Sequence, residues 1–214
     1  MDFTYSDEQK LIREAAREFA EREILPKARD NDREGRFDRE LARKLGEVGF
    51  LGAPVAEEYG GRGLSQLQYG RAVALISTAC SALGVLLSAH QSIGVPQPLK
   101  LFGTPEQKKK YLPRLAKGAI SAFGLTEPGV GSDPAGMGTT ALPTEDGTGY
   151  VLNGEKLWIT NGTLAELFVV MARTPSKVKK GKETPKISAF IVEASSPGVE
   201  VSDRCHFMGL KAIE

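Results

Sequence analysis

The sequence predicts a protein of two parts: an all-α helical bundle over residues 1–120, followed by an antiparallel, β-barrel-like domain over residues 121–214. In the first part apolar residues recur about every 3.6 positions, and Ala and Leu are frequent. In the second part the period falls to about 2, and Thr, Val, Ile and Gly replace them. A length of 214 residues allows two such domains, each with its own core.

Capping signatures of the type Ser/Thr-x-x-Gln begin two helices of the first part, at Ser6 and at Thr104. The first helix is predicted to end before Pro26, and the last to end near Gly118. Residues 54–65 are expected to form an ordered loop, because their glycine pair and Pro54 cannot continue a helix. Apolar stripes predict three more helices, the last of which is apolar enough to run through the middle of the bundle: Asp38–Val48, Gln66–Cys80 and Leu83–Phe102.

Alternating patterns in the second part predict six strands, all assigned to the β domain. The loop Pro175–Pro185 holds four lysines, which favour a solvated hairpin tip over a site for polyanions. The predicted strands are Ile120–Thr126, Met137–Pro143, Gly149–Ile159, Leu167–Thr174, Ile187–Glu193 and Val199–Arg204.

Composition excludes several classes of protein. A net charge of +1 and 41% hydrophobic residues are ordinary for a globular protein, so neither disorder nor nucleic-acid binding is expected. No apolar run approaches the about 20 residues of a membrane span, and the polar segment Met1–Lys10 does not resemble a secretion signal. We expect an intracellular protein, either cytoplasmic or in the mitochondrial matrix after loss of a presequence. Cys80 and Cys205 lack the spacing of a metal site and are expected to be buried, reduced thiols.

The most unusual segment is LTEPGVGSDP, residues 125–134. A dinucleotide fingerprint requires glycine where Pro134 stands, and the segment lacks the Gly-Lys-Ser/Thr ending of a phosphate loop. Two interpretations remain open. The segment is either a glycine–proline turn between strands, or a loop whose amides and hydroxyls, from Thr126 and Ser132, face a phosphate or a polar ring edge.

A second segment, LNGEKLWITNG, covers residues 152–162. Asn153-Gly154 is a strong hairpin-turn signal, and the strand predicted after it places Trp158 and Thr160 on the face opposite Ile159. An aromatic ring beside a hydroxyl suits a planar cofactor, although a tryptophan on a strand is also typical of core or edge packing.

No other group of residues indicates a catalytic centre. Cys205 and His206 would point to opposite faces of a strand, which argues against a thiolate–imidazole pair. His90, inside an apolar helix, is expected to be a hydrogen-bonded core residue. Glu127, a carboxylate next to Pro128 in the unusual loop, is expected to orient its turn or to act as a base.

At this separation, LTEPGVGSD and LNGEKLWITNG closely resemble the two central motifs of the acyl-CoA dehydrogenase family. Four further runs are similar to that family, so the resemblance covers essentially the whole chain: EEYGGRGLS at 57–65, GTPEQK at 103–108, YLP at 111–113 and MGLK at 208–211. The segment Ala89–Gly94 and the lysine-rich hairpin are most similar to the long-chain and very-long-chain branch.

The resemblance implies a flavoprotein with an N-terminal helical domain, a middle β-barrel-like domain and a C-terminal helical bundle, with FAD between the second and third. It implies that Thr126 bonds the pyrimidine edge of the flavin and that Ser132 contacts phosphate or acyl-CoA. Trp158 would pack on the isoalloxazine, and Thr160 would donate to flavin N5. The residues expected to bind the cofactor are Phe123, Leu125, Thr126, Gly131, Ser132, Trp158, Ile159 and Thr160.

In the family a glutamate removes the α-proton of a fatty acyl-CoA, hydride leaves the β-carbon for the flavin, and an electron-transferring flavoprotein takes the electrons. The resemblance also implies a homo-oligomer, either a tetramer or a dimer. We expect the glutamate base beyond residue 214, not at Glu214, and we therefore expect the 214-residue chain alone to be inactive.

Two other functions stay open at this point. One is a flavin-dependent oxidase or monooxygenase of the same superfamily, which hands electrons to oxygen. The other is a non-catalytic binding or assembly module with the same fold. Intact Thr126, Ser132, Trp158 and Thr160 disfavour the module, because a protein without flavin has no evident need for them.

Overall fold

The structure of the chain, a computed structural model, describes residues 5–179 and 182–213. Part of the polar N-terminus, Lys180 of the lysine-rich hairpin and Glu214 therefore lie outside the described residues. Helices fill the first part and strands the second, and the change falls between Ala116 and Ser121. The helices are α1 Asp7–Phe19, α2 Leu25–Glu34, α3 Arg39–Glu47, α4 Gln66–Ala79, α5 Ser81–Ser92, α6 Pro96–Phe102 and α7 Pro105–Ala116; the strands are β1 Ser121–Gly124, β2 Thr140–Pro143, β3 Tyr150–Asn153, β4 Leu167–Lys179 and β5 Lys182–Glu193.

The predicted capping signatures are confirmed. Ser6 accepts a hydrogen bond from the Gln9 amide at the start of α1, and Thr104 accepts one from the Gln107 amide at the start of α7. The predicted helix end before Pro26 is wrong. A π-helical turn, Ala20–Ile24, joins α1 to α2, and Pro26 lies in the first turn of α2, where a missing amide proton costs nothing.

The predicted helix Leu83–Phe102 is two helices, α5 and α6. Proline fits the first turn of a helix but disfavours its interior, and here the chain turns after Ser92 and starts a new helix at Pro96. The amide of Gly94 bonds the carbonyl of Ala89 in this turn, at 2.9 Å. The expectation of a central helix is met by α5, because one side of it is buried along its length.

The main core lies between the helices of the first part and is built from the apolar stripes of α1, α3, α4 and α5. A second cluster joins α7 to the sheet, with Leu112 and Leu115 against Leu167 and Val169 of β4. Polar contacts reinforce this junction. Glu193 at the end of β5 forms ion pairs with Lys110 and Arg114 of α7, each at 3.1 Å.

The sheet is mixed, and the expectation of an antiparallel domain is corrected in this respect. β5 pairs antiparallel with nearly the whole of β4, whereas β1 and β2 pair parallel with successive parts of β4. β3 pairs antiparallel with β2. β1 and β2 run in the same direction because a long connection, over residues 125–139, lies between them. β3 then reverses the chain, and the connection over residues 154–166 returns β4 to the direction of β1 and β2. A period of 2 does not distinguish these directions.

Two strand predictions need correction. Only Tyr150–Asn153 of the predicted strand Gly149–Ile159 is a strand, because the residues after Asn153 bond to the loop at 125–127 and then turn. Residues 199–204 belong to none of the strands assigned within the described residues. Arg204 instead donates to the carbonyls of Gly35, Lys211 and Ile213, which ties the end of the chain to α2.

The lysine-rich segment is less of a loop than predicted. β4 continues to Lys179 and β5 begins at Lys182, so most of Pro175–Pro185 is paired, with an irregularity in register between Thr174 and Lys177. Within the described residues, no helix has both the length and the apolar character that crossing a membrane requires.

Two glycines provide a matched test of the helical packing. A Cβ on Gly52 would lie 2.6 Å from the carbonyl oxygen of Ala116, whereas a Cβ on Gly70, exposed in α4, would meet nothing within 4 Å. We expect Gly52→Ala to lower the free energy of unfolding by about 1–3 kcal/mol and Gly70→Ala to raise it by about 0.5–1 kcal/mol. Urea unfolding measures both. Equal effects of the two substitutions would contradict the close approach of residue 52 to α7.

Candidate functional site

The loop after β1 is a tight turn stabilised by two backbone hydrogen bonds between Glu127 and Val130, each of 3.1 Å. Beyond the turn the loop is open. Gly129, Gly131 and Ser132 are exposed, and a Cβ on either glycine would meet no atom within 4 Å. The loop therefore presents backbone amides and a hydroxyl that no neighbouring side chain covers.

Inside this loop lies a buried ion pair between Glu127 and Lys156, with a distance of 2.8 Å from Oε1 to Nζ. The ammonium also donates to the carbonyl of Leu125, at 3.2 Å. Next to it, the amide of Leu157 donates to the carbonyl of Thr126, at 2.8 Å. The two unusual segments of the sequence are thus bonded to each other side by side.

The Glu127 carboxylate has further partners in the segment before β2. It accepts hydrogen bonds from the amide of Gly138 at 2.6 Å, and from the amide and hydroxyl of Thr139. Burial raises the pKa of the Glu127 carboxyl, but the bonds from Lys156, Thr139 and Gly138 outweigh it and lower the pKa to about 2. The carboxylate is ionised at neutral pH and fully engaged, so it orients the loop and is unsuited to accept a proton from a substrate.

Trp158 follows directly and is 61% exposed. Its backbone is left-handed, with φ of 58°, a conformation that is rare for a bulky residue and persists only when its surroundings impose it. The indole lies beside the ring of Phe207, with ring centroids 6.4 Å apart. Two apolar residues that follow Phe207 in the sequence, Met208 and Leu210, are also exposed. An apolar surface therefore follows directly on the segment whose Leu157 amide bonds Thr126.

Asn161 anchors the other end of this segment. It is fully buried, also left-handed, and its Nδ2 donates to the carbonyls of Leu86 in α5 and Ser121 in β1, at 3.3 and 3.4 Å. The residues between Lys156 and Asn161 are consequently fixed at both ends, one end on the loop and the other on the helical part.

His90 is a buried core residue, as the sequence predicts. Its Nδ1 accepts a hydrogen bond from the Ser121 amide at 3.0 Å and lies 2.9 Å from the Ser121 hydroxyl. Complete burial lowers the pKa of His90 to about 4, while the carbonyl of Leu51 opposes the shift. The imidazole is neutral at pH 7 and joins α5 to β1.

The structure brings some of the predicted site residues together. Gly131, Ser132 and Trp158 are exposed, and Thr126 and Thr160 are half-buried nearby in the two bonded segments. Two others face inward, and a third contributes its backbone carbonyl. Phe123 packs against the cluster around Leu167 and Val169, Ile159 packs near Ala122 and Phe168, and half-buried Leu125 supplies its carbonyl to Lys156.

The prediction that Trp158 and Thr160 lie on one face of a strand is wrong. Trp158 lies at a bend and Thr160 in a turn. Cys205 and His206 are likewise not in a strand. Both cysteines are free thiols, but they are half-buried, not buried as expected. Among the described residues no group of three or more His, Cys, Asp or Glu has the arrangement of a metal site.

The geometry fits a large planar cofactor with a phosphate tail. An exposed indole offers a ring face, and a loop without side chains at Gly129 and Gly131 lets an anionic group approach backbone amides. Comparison with known proteins agrees with this fit. The model of the acyl-CoA dehydrogenase N-terminal domain matches residues 6–119, and that of the acyl-CoA dehydrogenase middle domain matches residues 122–214.

The chain belongs to the acyl-CoA dehydrogenase family. It is 55% identical over 184 residues to the probable acyl-CoA dehydrogenase FadE10 of Mycobacterium tuberculosis, covering 86% of this chain and 28% of that protein. Its fold matches the crystal structure of an acyl-CoA dehydrogenase complexed with FAD from Bacillus anthracis, with a TM-score of 0.86 and 42% identity over 98% of this chain and 34% of that one.

Relatives of different chain-length specificity are similar to a comparable degree. The very long-chain specific enzyme of Bos taurus mitochondria is 44% identical over 86% of this chain and 28% of its own length. The short-chain specific enzyme of Clostridium acetobutylicum is 43% identical over 99% of this chain and 54% of its own length. The chain spans about half, or less, of the length of these relatives.

Sequence reasoning missed two residues of the site, Lys156 and Asn161. Lys156 lies in a segment predicted as a strand, where an isolated lysine indicates an exposed position, and nothing local shows that it reaches Glu127. Asn161 precedes Gly162, a pair that predicts only a turn. Its left-handed backbone fits that turn signal, but its burial depends on α5, which is remote in sequence.

The neutral, buried state of His90 predicts a loss of stability in acid. The unfolded chain binds a proton at a pKa near 6.5 and the folded chain only at about 4, so the free energy of unfolding falls as the pH drops through that window. We expect the contribution of His90 to fall by about 2 kcal/mol between pH 7 and pH 5. Urea unfolding of the chain and of His90→Gln at both pH values measures it. The same pH dependence in both proteins would contradict a buried, neutral His90.

Proposed function

We propose that the whole protein is an FAD-dependent acyl-CoA dehydrogenase that oxidises a fatty acyl-CoA to the trans-2-enoyl-CoA. One observation carries the proposal: Trp158, the single tryptophan of the chain, is exposed in a constrained left-handed conformation beside the glycine loop. Exposing so large an apolar ring is unfavourable in water, and a planar ligand stacked on it would bury that surface. Membership of the family and a similar structure complexed with FAD support the same cofactor.

FAD, when bound, supplies a hydride acceptor at its N5 atom. In this proposal Trp158 packs on the isoalloxazine and excludes water from it. Thr126 and Thr160 orient the ring by hydrogen bonds, and Ser132 with the amide of Gly131 faces the phosphates or the acyl-CoA. Phe123 and Ile159 contribute through the packing behind the site, because their side chains face inward, and Leu125 contributes its backbone carbonyl, which bonds Lys156.

No catalytic base is assigned to the described residues. Glu127 has too low a proton affinity, with a pKa of about 2. The other carboxylate of the loop, Asp133, accepts a hydrogen bond from the Ala135 amide at the start of a short helical turn. The glutamate that takes the α-proton is therefore proposed to lie beyond residue 214, in agreement with a chain that matches only the N-terminal and middle domain models.

The electron acceptor, assembly and location are proposed from the family resemblance. The acceptor is an electron-transferring flavoprotein, the protein is a homo-oligomer, and it acts inside the cell or in the mitochondrial matrix. A preference for long acyl chains is proposed from the segment Ala89–Gly94 and the lysine-rich hairpin, which resemble the long-chain and very-long-chain branch. The alternative function, a flavin-dependent oxidase of the same superfamily, differs from a dehydrogenase in one measurable respect. The reduced flavin of an oxidase reacts quickly with oxygen.

The roles of Trp158 and Thr160 are tested in the FAD-loaded whole protein. We expect Trp158→Ala to weaken FAD binding by about tenfold, because a stacking surface is lost, and Thr160→Ala to shift the flavin potential and slow reduction by substrate. Phe102→Ala is the matched control, since Phe102 is an aromatic residue that is 85% exposed in α6. Titration calorimetry and anaerobic bleaching of the visible flavin band by acyl-CoA measure these effects.

Three results would contradict the proposal. A wild-type protein that binds no FAD excludes the cofactor. A yellow protein whose band is bleached by no acyl-CoA excludes the reaction. Equal effects of Trp158→Ala and Phe102→Ala on FAD affinity would exclude Trp158 from the flavin site.

A further inference from the structure

The Glu127–Lys156 pair has a geometry that stability alone does not explain. The Glu127 carboxylate bonds two other segments at once: the residues Gly138 and Thr139 before β2, and Lys156 before Trp158. The side chains of Lys156 and Glu127 are 12% and 8% exposed. Removing two charges from water costs about as much free energy as their attraction returns. Two apolar side chains of similar volume would therefore stabilise the fold to a similar degree.

The contacts lead from the ion pair to the exposed ring in two short steps. Lys156 bonds the carbonyl of Leu125, and the next residue, Leu157, bonds the carbonyl of Thr126. Trp158 follows at once, with a left-handed backbone that allows the indole little freedom. The separation between Thr126 and Trp158 is thus set by the residues that Glu127 and Lys156 hold together.

We propose that Glu127 and Lys156 are positioning residues, which fix Thr126 and Trp158 at the separation that the flavin ring requires. The proposal rests on the proposed function, because it assumes that FAD occupies this surface. It assigns the pair no proton transfer and no contact with the reacting atoms. A substitution that breaks the ion pair therefore displaces Trp158 from the position that the flavin ring requires, even when the variant still folds.

The test compares Glu127→Gln and Lys156→Met with a matched control, Glu193→Gln. The control, too, removes an ion-paired carboxylate. Glu193 pairs with Lys110 and Arg114, and these ion pairs join β5 to α7. Trp158 is the only tryptophan of the 214 residues, so its fluorescence reports on the segment without any cofactor. We expect both site variants to shift its emission to the red and to increase quenching by acrylamide, and we expect the control to leave both unchanged.

In the whole protein, the site variants should bind FAD about tenfold more weakly, because the loss of a residue that orients a ligand-binding group commonly has an effect of this size. They should also shift the flavin potential. The double variant Glu127→Gln/Lys156→Met should be no worse than either single one, because both remove the same contact. A single variant leaves a lone buried charge, so Glu127→Gln/Lys156→Gln is made alongside, and we expect it to fold with the same red shift.

The outcomes separate the two proposals. If the wild-type protein binds no FAD, the proposed function fails, while the fluorescence of Trp158 still tests whether the pair positions the segment. Unchanged Trp158 fluorescence and FAD affinity in the site variants would overturn the positioning role. Equal changes in Glu193→Gln would also overturn it, because the effect would then be a general loss of stability.

Discussion

The candidate site depends on one buried ion pair, between Glu127 and Lys156. Both side chains are largely shielded from water, with 12% and 8% exposed, so their charges are satisfied mainly by hydrogen bonds within the protein. The partners available are backbone groups of the loop and of the segment before β2. The need to satisfy these charges fixes the backbone over residues 125–127 and 156–158. An exposed indole and an open glycine loop can then lie side by side without a strand to hold them.

The helical part acts as the support for this surface. α5 runs through the main core and ends against β1, where His90 bonds Ser121. Asn161 bonds carbonyls of both elements, so the turn that carries Thr160 is tied to α5 as well as to the sheet. β4 connects the same sheet to α7 through the second apolar cluster. The exposed residues of the site thus rest on rigid, buried neighbours, as a binding surface of fixed geometry requires.

Much of this architecture follows from local patterns in the sequence. The capping signatures at Ser6 and Thr104, the apolar stripes and the change in period identify most helices and the start of the sheet, because those signals act within a few residues. The errors lie where distant contacts decide. Pro96 divides an apolar run that the sequence pattern treats as one helix. Parallel pairing with β4 has no local sequence signal. The segment 154–162 has the alternating pattern of a strand, but it bonds to the loop at 125–127 instead of to a neighbouring strand. The motifs point to Trp158, which the structure shows to be exposed, whereas Lys156 is recognisable only once its partner 29 positions away is known.

The most direct test is a crystal structure of the protein with FAD bound. The account predicts that the isoalloxazine stacks on Trp158, that its polar edge faces Thr126, and that Glu127 and Lys156 remain bonded to each other behind the ring without touching it. A flavin bound elsewhere on the molecule would contradict the assignment of this surface. A flavin at this surface with the Glu127–Lys156 contact broken would contradict the claim that the ion pair holds the surface in its binding geometry.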